Sequence, residues 1–377
     1  MGGAETWLMS VLRLWSENGD GQMDFLLTGG EPGVFDQEAK HLGAKLHYVR
    51  FGRRDLLSFV RSFRRILREG RYDAIHDHAD YASGWHFLMG VGALPPVCVT
   101  HVHTSYDAVI NYGATFSRRM TAEIGKSLVA SYSTHITATS WQMIADYGFD
   151  SDRFRRIPKA ALHCGFDPAR FLGETAAQGA SIRQEFGWPE DAIVVLFVGR
   201  MDESAEVGHP TNQKNSGFAV TVGIECARRD PRIRLLLIGA PTAGVPALKQ
   251  RVAEAGLSDH ICFAGIRKDI SRFMIGSDVL VFPSQGEGLG MVAVEAQAAG
   301  LPVLASTAVP RECVVAAELV RFQDIAAGEA TWAEELLELA AMPRNQSSGN
   351  QRVAASAFAI DRSSKALLHL YRDGVLE

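Results

Sequence analysis

The sequence holds no closely spaced cysteine pair, no apolar run long enough to cross a membrane and no excess of basic charge, and each absence removes a class of protein. The five cysteines (Cys98, Cys164, Cys226, Cys262 and Cys313) are scattered, and their odd number argues for reduced thiols rather than a disulfide framework. No stretch approaches the roughly 18 apolar residues of a spanning helix. No secretory signal pattern is present either, so the expected compartment is the cytoplasm. Met1-Gly2-x-x-x-Thr6 matches the myristoylation consensus, a pattern short enough to recur by chance. A net charge of −5 gives no overall attraction to nucleic acid. Residues 1–165 carry 18 Lys/Arg against 17 Asp/Glu, and the rest carry 20 against 26, so the acidity lies in the second half.

What is present is a chain of 377 residues, 47% hydrophobic and 21% charged, which suffices for two domains with separate cores. Short β-branched or apolar runs alternate with helical stretches throughout. In the first half they fall at 23–29, 45–51, 74–78, 97–103, 135–140 and 155–162. In the second they fall at 192–199, 234–239, 261–265, 278–284, 302–306 and 319–322. Continuous apolar strands between amphipathic helices predict parallel sheets covered on both faces. The series restarts after a polar, Gly- and Ala-rich stretch at 172–181. The expectation is therefore α/β, with two doubly wound Rossmann-like domains facing a cleft. Their expected bounds are 1–168 and 169–352, with a linker near 165–182. A closing amphipathic helix at about 351–373 is expected to pack back on the first domain, as part of a C-terminal segment at 353–377.

The first domain opens directly into a helical run, Thr6 to Trp15, with no strand before it. A doubly wound domain normally starts on a strand that lies centrally in its sheet. The expectation is that this strand precedes Met1, because its lack would leave ladder groups unpaired inside the sheet.

Pro283-Ser284-Gln285-Gly286-Glu287-Gly288-Leu289-Gly290 follows a strand and precedes a helical run from Met291 to Ala299. Three glycines in five residues let backbone N–H groups approach a phosphate or sugar hydroxyls at a helix N-terminus. Taken alone, the segment also fits a plain Gly-rich turn whose Glu complements the helix dipole. Placed as Glu287-x7-Glu295 within PSQGEGLGMVAVEAQAAGLPVLAS, it closely resembles the E-x7-E signature of family 4 retaining glycosyltransferases of the GT-B architecture. The resemblance runs from Gly2-Gly3-Ala4-Glu5 to the closing helix.

That resemblance implies a donor site for a nucleotide-diphosphate sugar, UDP-hexose favoured. Glu287 and the backbone of Gly286, Gly288, Leu289, Gly290 and Met291 would meet the hexose, and Glu295 the ribose. Arg200, at the end of the first strand of the second half, and Lys214 resemble the family's diphosphate clamp, as a developing leaving-group charge requires. The stretch between those two is longer than the family's, and Asn215 stands where Gly is common. Gly2 and Gly3 resemble the family's loop near the phosphates, and His103 its active-site histidine. The implied reaction is metal-independent hexosyl transfer, with retention, to a saccharide or lipid-linked acceptor in exopolysaccharide, capsule or cell-surface glycan assembly. No cofactor or metal is expected. Asp150-Ser151-Asp152, formally a metal-binding D-x-D, falls in a turn where acids serve as N-caps.

Other readings compete. A zinc hydrolase would use His76, His78 and Asp80, but Tyr81 stands where a further ligand His is required. His163 to Phe171 resembles the family's interdomain segment, with its Asn replaced. A dinucleotide fold fails at Gly239–Gly244, which is not G-x-G-x-x-G, and a P-loop fails at Val245. A GT-B epimerase or hydrolase acting on the nucleotide sugar itself remains open. On the stretch 55–70, Leu56, Val60, Phe63 and Leu67 share one side, with Arg54, Arg61, Arg65 and Arg68 largely opposite. Such a face is usually only solvated, and Arg61, Arg65 and Arg68 also suit peripheral contact with anionic lipid at the inner face of a membrane.

Overall fold

The structure is a computed structural model that describes residues 3–52, 54–106, 109, 115–209 and 211–376. The chain divides into two compact units, Met1–Phe166 with Ala357–Glu377, and Asp167–Ser356.

In the first unit, β1 (Phe25–Leu27) pairs with β2 (Leu46–Tyr48), and β3 (Ala74–Asp77), β4 (Val97–Val102), β5 (His135–Ala138) and β6 (Lys159–Ala161) form a four-stranded sheet in that order. Every pairing is parallel, as continuous apolar strands between helices predict. The two sheets do not pair with each other, and among the described residues no strand precedes the opening helix Gly3–Asn18. The strands β1, β2 and β3 are only half-buried along their length, whereas β5 is buried throughout and β4 nearly so.

The helix Gly3–Asn18 buries two faces. Met9 and Leu12 pack with Ala39, Ala44 and Phe25. Trp7 and Trp15 face the helix Ile360–Asp373, where their indole N–H groups donate to Ser363 and Ser364 at 3.0 and 2.7 Å. A buried indole needs such an acceptor. The closing segment is thus two helices, Gln346–Ala354 in the second unit and Ile360–Asp373 in the first, rather than the single helix expected. The break lets residues 355–359 carry the chain from one unit to the other, and Phe166 pairs with Ala359 there.

In the second unit a six-stranded parallel sheet runs β12-β11-β10-β7-β8-β9, from β7 (Ile193–Val198), β8 (Ile233–Ile238), β9 (Ile261–Gly265), β10 (Val279–Phe282), β11 (Val303–Ser306) and β12 (Val320–Gln323). Strand order reverses between β7 and β10, and crevices that hold ligands form at such points in open α/β sheets. Its core joins Phe197, Leu235 and Val281 of the sheet to Phe218 and the fully buried Trp332 of the flanking helices. Truncating a tryptophan so placed costs about 3–5 kcal/mol. The Asp278 carboxylate, at the head of β10, accepts from the Val194 N–H at 2.7 Å and from Arg183 at 3.0 Å, which sets β10 against β7.

Part of the stretch expected as linker is the helix Thr175–Glu185. Its Gly179 lies so close to the helix Ile270–Gly276 that a β-carbon there would stand 3.2 Å from the Gly276 carbonyl oxygen. Tertiary packing, not local preference, orders it. All five cysteines are free.

Candidate active site

The loops after β7 and β10 adjoin at the reversal of strand order. The backbone N–H of Gln285 donates to the Gln213 carbonyl at 2.9 Å and ties one loop to the other. The first loop is held by Asp202, a buried carboxylate that accepts from the N–H of Lys214 at 3.0 Å and from the N–H and hydroxyl of Ser216 at 2.6 and 2.9 Å. Three hydrogen bonds on one carboxylate fix where Lys214 starts. Its aliphatic stem lies against Gly199, where a β-carbon would stand 3.4 Å from Lys214 Cγ. Lys214 Nζ then donates to Glu287 Oε1 at 2.6 Å, and the Ser284 hydroxyl donates to the same oxygen at 2.7 Å. Glu287 is 8% exposed, and a buried carboxylate is costly without such partners.

Arg200, at the end of β7, is exposed and makes no ion pair among the described residues. Asn215 occupies the left-handed region at φ 57°, which explains why a glycine suits this position. Its buried amide finds no hydrogen-bond partner among the described residues.

On the other side, Gly288, Leu289 and Gly290 are buried and lead into the helix Met291–Ala298. Gly290 has φ 93°, and a β-carbon there would fall 2.8 Å from Val309 Cγ1, so only glycine fits the turn that opens the helix. Gln297 anchors the far end. Its amide donates to the carbonyls of Ala293 and Cys313 and accepts from the N–H groups of Val315 and Ala316, at 2.8–2.9 Å. Glu295 is half-buried; burial pushes its carboxyl up to about 7, against the opposing pull of Arg170. An exposed guanidinium, an ammonium paired with a carboxylate, a helix start and a second carboxyl together suit a ligand carrying both negative charge and hydroxyls.

In the first unit, His76, His78, His101 and His103 come together from the ends of β3 and β4. His76 Nε2 lies 3.0 Å from His101 Nδ1, and His78 Nδ1 lies 2.8 Å from His103 Nε2. Burial lowers all four, His76 to about 3 and His103 to about 4, so the rings are neutral at pH 7. Asp80, in the left-handed region at φ 53°, accepts the backbone N–H of His103 at 2.8 Å, and burial raises its carboxyl to about 6.

The structure thus places Lys214 and Glu287 in contact and puts Gly286, Gly288, Leu289, Gly290 and Met291 on the loop and helix start beside them. Glu295 lies further along that helix. His103 belongs to the other unit. Gly3 is the exposed first residue of the opening helix, and Gly2 lies outside the described residues. Asp80 does not turn toward the imidazoles as the hydrolase pattern required. Asp150 and Asp152 are exposed, and the short helix at Asp152–Phe154 has no side-chain cap, contrary to the capping expectation. On the arginine-rich helix Leu56–Gly70 the buried residues are Phe59, Phe63 and Leu67, while Leu56 is exposed.

Sequence reasoning missed the roles of Asp202, Ser284 and Gln297. Asp202 binds partners twelve and fourteen residues away and Gln297 reaches residues sixteen to nineteen away, and no local pattern marks such contacts.

Comparison with known proteins bears on both units. Residues 192–341 match the family described as "Glycosyl transferases group 1", and residues 2–160 match "Glycosyl transferase 4-like domain". The chain is 28% identical to the "Putative glycosyltransferase EpsF" of Bacillus subtilis, over 98% of this chain and 93% of that protein. Among solved structures it resembles Anabaena Alr3699/HepE in complex with UDP, with a TM-score of 0.75 at 19% identity over 97% of this chain and 95% of that one. It also resembles WaaG, "a glycosyltransferase involved in lipopolysaccharide biosynthesis", with a TM-score of 0.70 at 16% identity over 99% and 97% of the two chains.

Proposed function

We propose that this chain, whose two units match glycosyltransferase family models, is a retaining hexosyltransferase of the GT-B architecture, drawing on a nucleotide-diphosphate sugar and serving glycan assembly. The observation that carries the reading is the bond from Lys214 Nζ to Glu287 Oε1, which joins two sequence-distant loops at the reversal of strand order. The donor lies there, with Arg200 and Lys214 on the diphosphate, Glu295 on the ribose, and Glu287 with the Gly288–Met291 backbone on the hexose.

Two cations offset the charge that develops on the leaving diphosphate, so transfer proceeds without a metal. Lys214 and Ser284 both engage Glu287 Oε1, and we assign neither glutamate the part of a covalent nucleophile. We assign retention to departure and attack on the same face, with the diphosphate accepting the acceptor's proton. UDP-hexose is the favoured donor, and HepE, with the same fold, is described with UDP-glucose. The acceptor is a saccharide or a lipid-linked saccharide.

Thermal-shift screening of UDP-, GDP- and ADP-sugars identifies the base. Arg200→Ala or Glu287→Ala that leaves both transfer and donor hydrolysis intact would sink the proposal. Incubation with donor alone separates transfer from epimerisation.

A further inference from the structure

The four-histidine cluster of the first unit is larger than the donor reading uses, since that reading calls on His103 alone. Asp77 of β3 stands opposite Thr100 of β4, so His78 and His101, one step further along, fall side by side on one face of the sheet. Their ring centroids are 5.3 Å apart, and those of His76 and His101 are 5.0 Å apart. One ring nitrogen from each of His76, His78 and His101 lies within 4.8 Å of the others. Two nitrogens bound to one tetrahedral zinc, each at ~2.0 Å, stand about 3.3 Å apart. The His76–His101 and His78–His103 nitrogen pairs, at 3.0 and 2.8 Å, are already close to that separation.

Three further features fit a ligand set. His101 is fully buried, and among the described residues its Nε2 has no hydrogen-bond partner, so its one ring hydrogen bond runs from Nδ1 to His76. Tyr371 meets His76 Nδ1 at 2.5 Å, which leaves Nε2 aimed into the cluster, as an outer partner does for a metal-bound imidazole. Trp7 packs edge-on against the rings of His78 and His101 and walls one side.

Both nearby carboxylates are engaged elsewhere. Asp80 holds the His103 backbone, and Asp77 is taken by His86, Ser83 and the Ala79 N–H. An all-imidazole set selects zinc, cobalt, nickel or copper over magnesium or calcium.

We propose that His76, His78 and His101 bind one transition-metal ion of the Zn2+ class, with His103 Nε2 adjacent to its fourth position. The residues of the second unit take no part. Occupation draws His78 Nδ1 away from His103, and so changes how the His103 ring is held.

The test uses the full chain, stripped with chelator and titrated with ZnCl2 and CoCl2. The expected result is one Zn2+ per chain by calorimetry, and visible absorption typical of four-coordinate Co2+ with nitrogen ligands. His101→Asn should abolish both, and His41→Asn, away from the cluster, should preserve them. Absence of the cobalt bands overturns the proposal, as do bands accompanied by thiolate charge transfer. So does unchanged stoichiometry in a His101→Asn chain whose circular dichroism remains native. The cobalt spectrum of the unaltered chain decides the matter even if that variant fails to fold. Failure of the donor reading would appear in nucleotide-sugar binding, which this titration does not measure.

Discussion

Binding of the donor should release a proton from Glu295. In the free chain, burial raises that carboxyl from 4.5 to about 7. A ribose offers two hydroxyl donors, and only the ionised carboxylate accepts from both with no proton of its own in the way. Donor binding therefore favours the ionised form and returns the group toward its ordinary value. At about pH 6.5 a group of pKa ~7 is about three-quarters protonated, so ~0.75 proton should leave per donor bound. The same linkage raises affinity about twentyfold between about pH 5.5 and pH 7.5.

Calorimetry of the favoured UDP-sugar in two buffers of different ionisation enthalpy gives the proton count directly. Glu295→Gln should reduce it to near zero. A count below about 0.2 for the unaltered chain, or one unchanged by Glu295→Gln, refutes the reasoning. The stability of the free chain provides the sign check. A carboxyl raised in the folded state contributes stability that is fully present below about pH 4.5 and is lost as pH rises through about 7. Partial solvent access reduces that loss to about 1–2 kcal/mol, and Glu295→Gln should flatten it in denaturant titrations across the window.

Three other outcomes follow from the site and its surroundings. Glu287→Ala leaves Lys214 Nζ and the Ser284 hydroxyl without their shared acceptor. It should lower transfer by on the order of a hundredfold in a donor-turnover assay, and cost about 1.5–3 kcal/mol in denaturant unfolding. Gly290→Ala forces a side chain into φ 93° and against Val309, and should cost about 2 kcal/mol while weakening nucleotide binding in a thermal-shift titration. On the helix Leu56–Gly70, Arg61, Arg65 and Arg68 are exposed, and the adjoining Leu57 is 76% exposed. Co-sedimentation with anionic vesicles should therefore fall at least tenfold on changing the three arginines to glutamate, and neutral vesicles should show no difference.

The strands were legible because a parallel strand buried on both faces must be apolar along its whole length. The runs at 192–199 and 278–284 accordingly contain β7 and β10, and the run at 234–239 overlaps all of β8 but its first residue. The glycine-rich turn was legible for a related reason, since Gly290 sits where a side chain does not fit. Less legible were features that depend on what lies opposite. The stretch 172–181 reads as a polar connection, yet most of it is helical, because Gly179 permits close approach to the helix Ile270–Gly276. Leu56 reads as a core residue from its spacing and is exposed, while Phe59 does the packing.

By itself the sequence determined the alternation of elements, the parallel sheets and the turn from Gly286 to Gly290. Each follows from periodicity or from backbone sterics within a short window. Only the tertiary structure decided that Lys214 meets Glu287, that Asp202 fixes the loop carrying Lys214, and that four histidines from two strands form one cluster. Those contacts depend on which strand lies beside which, and that order is set by packing across the sheet rather than by any residue's neighbours along the chain.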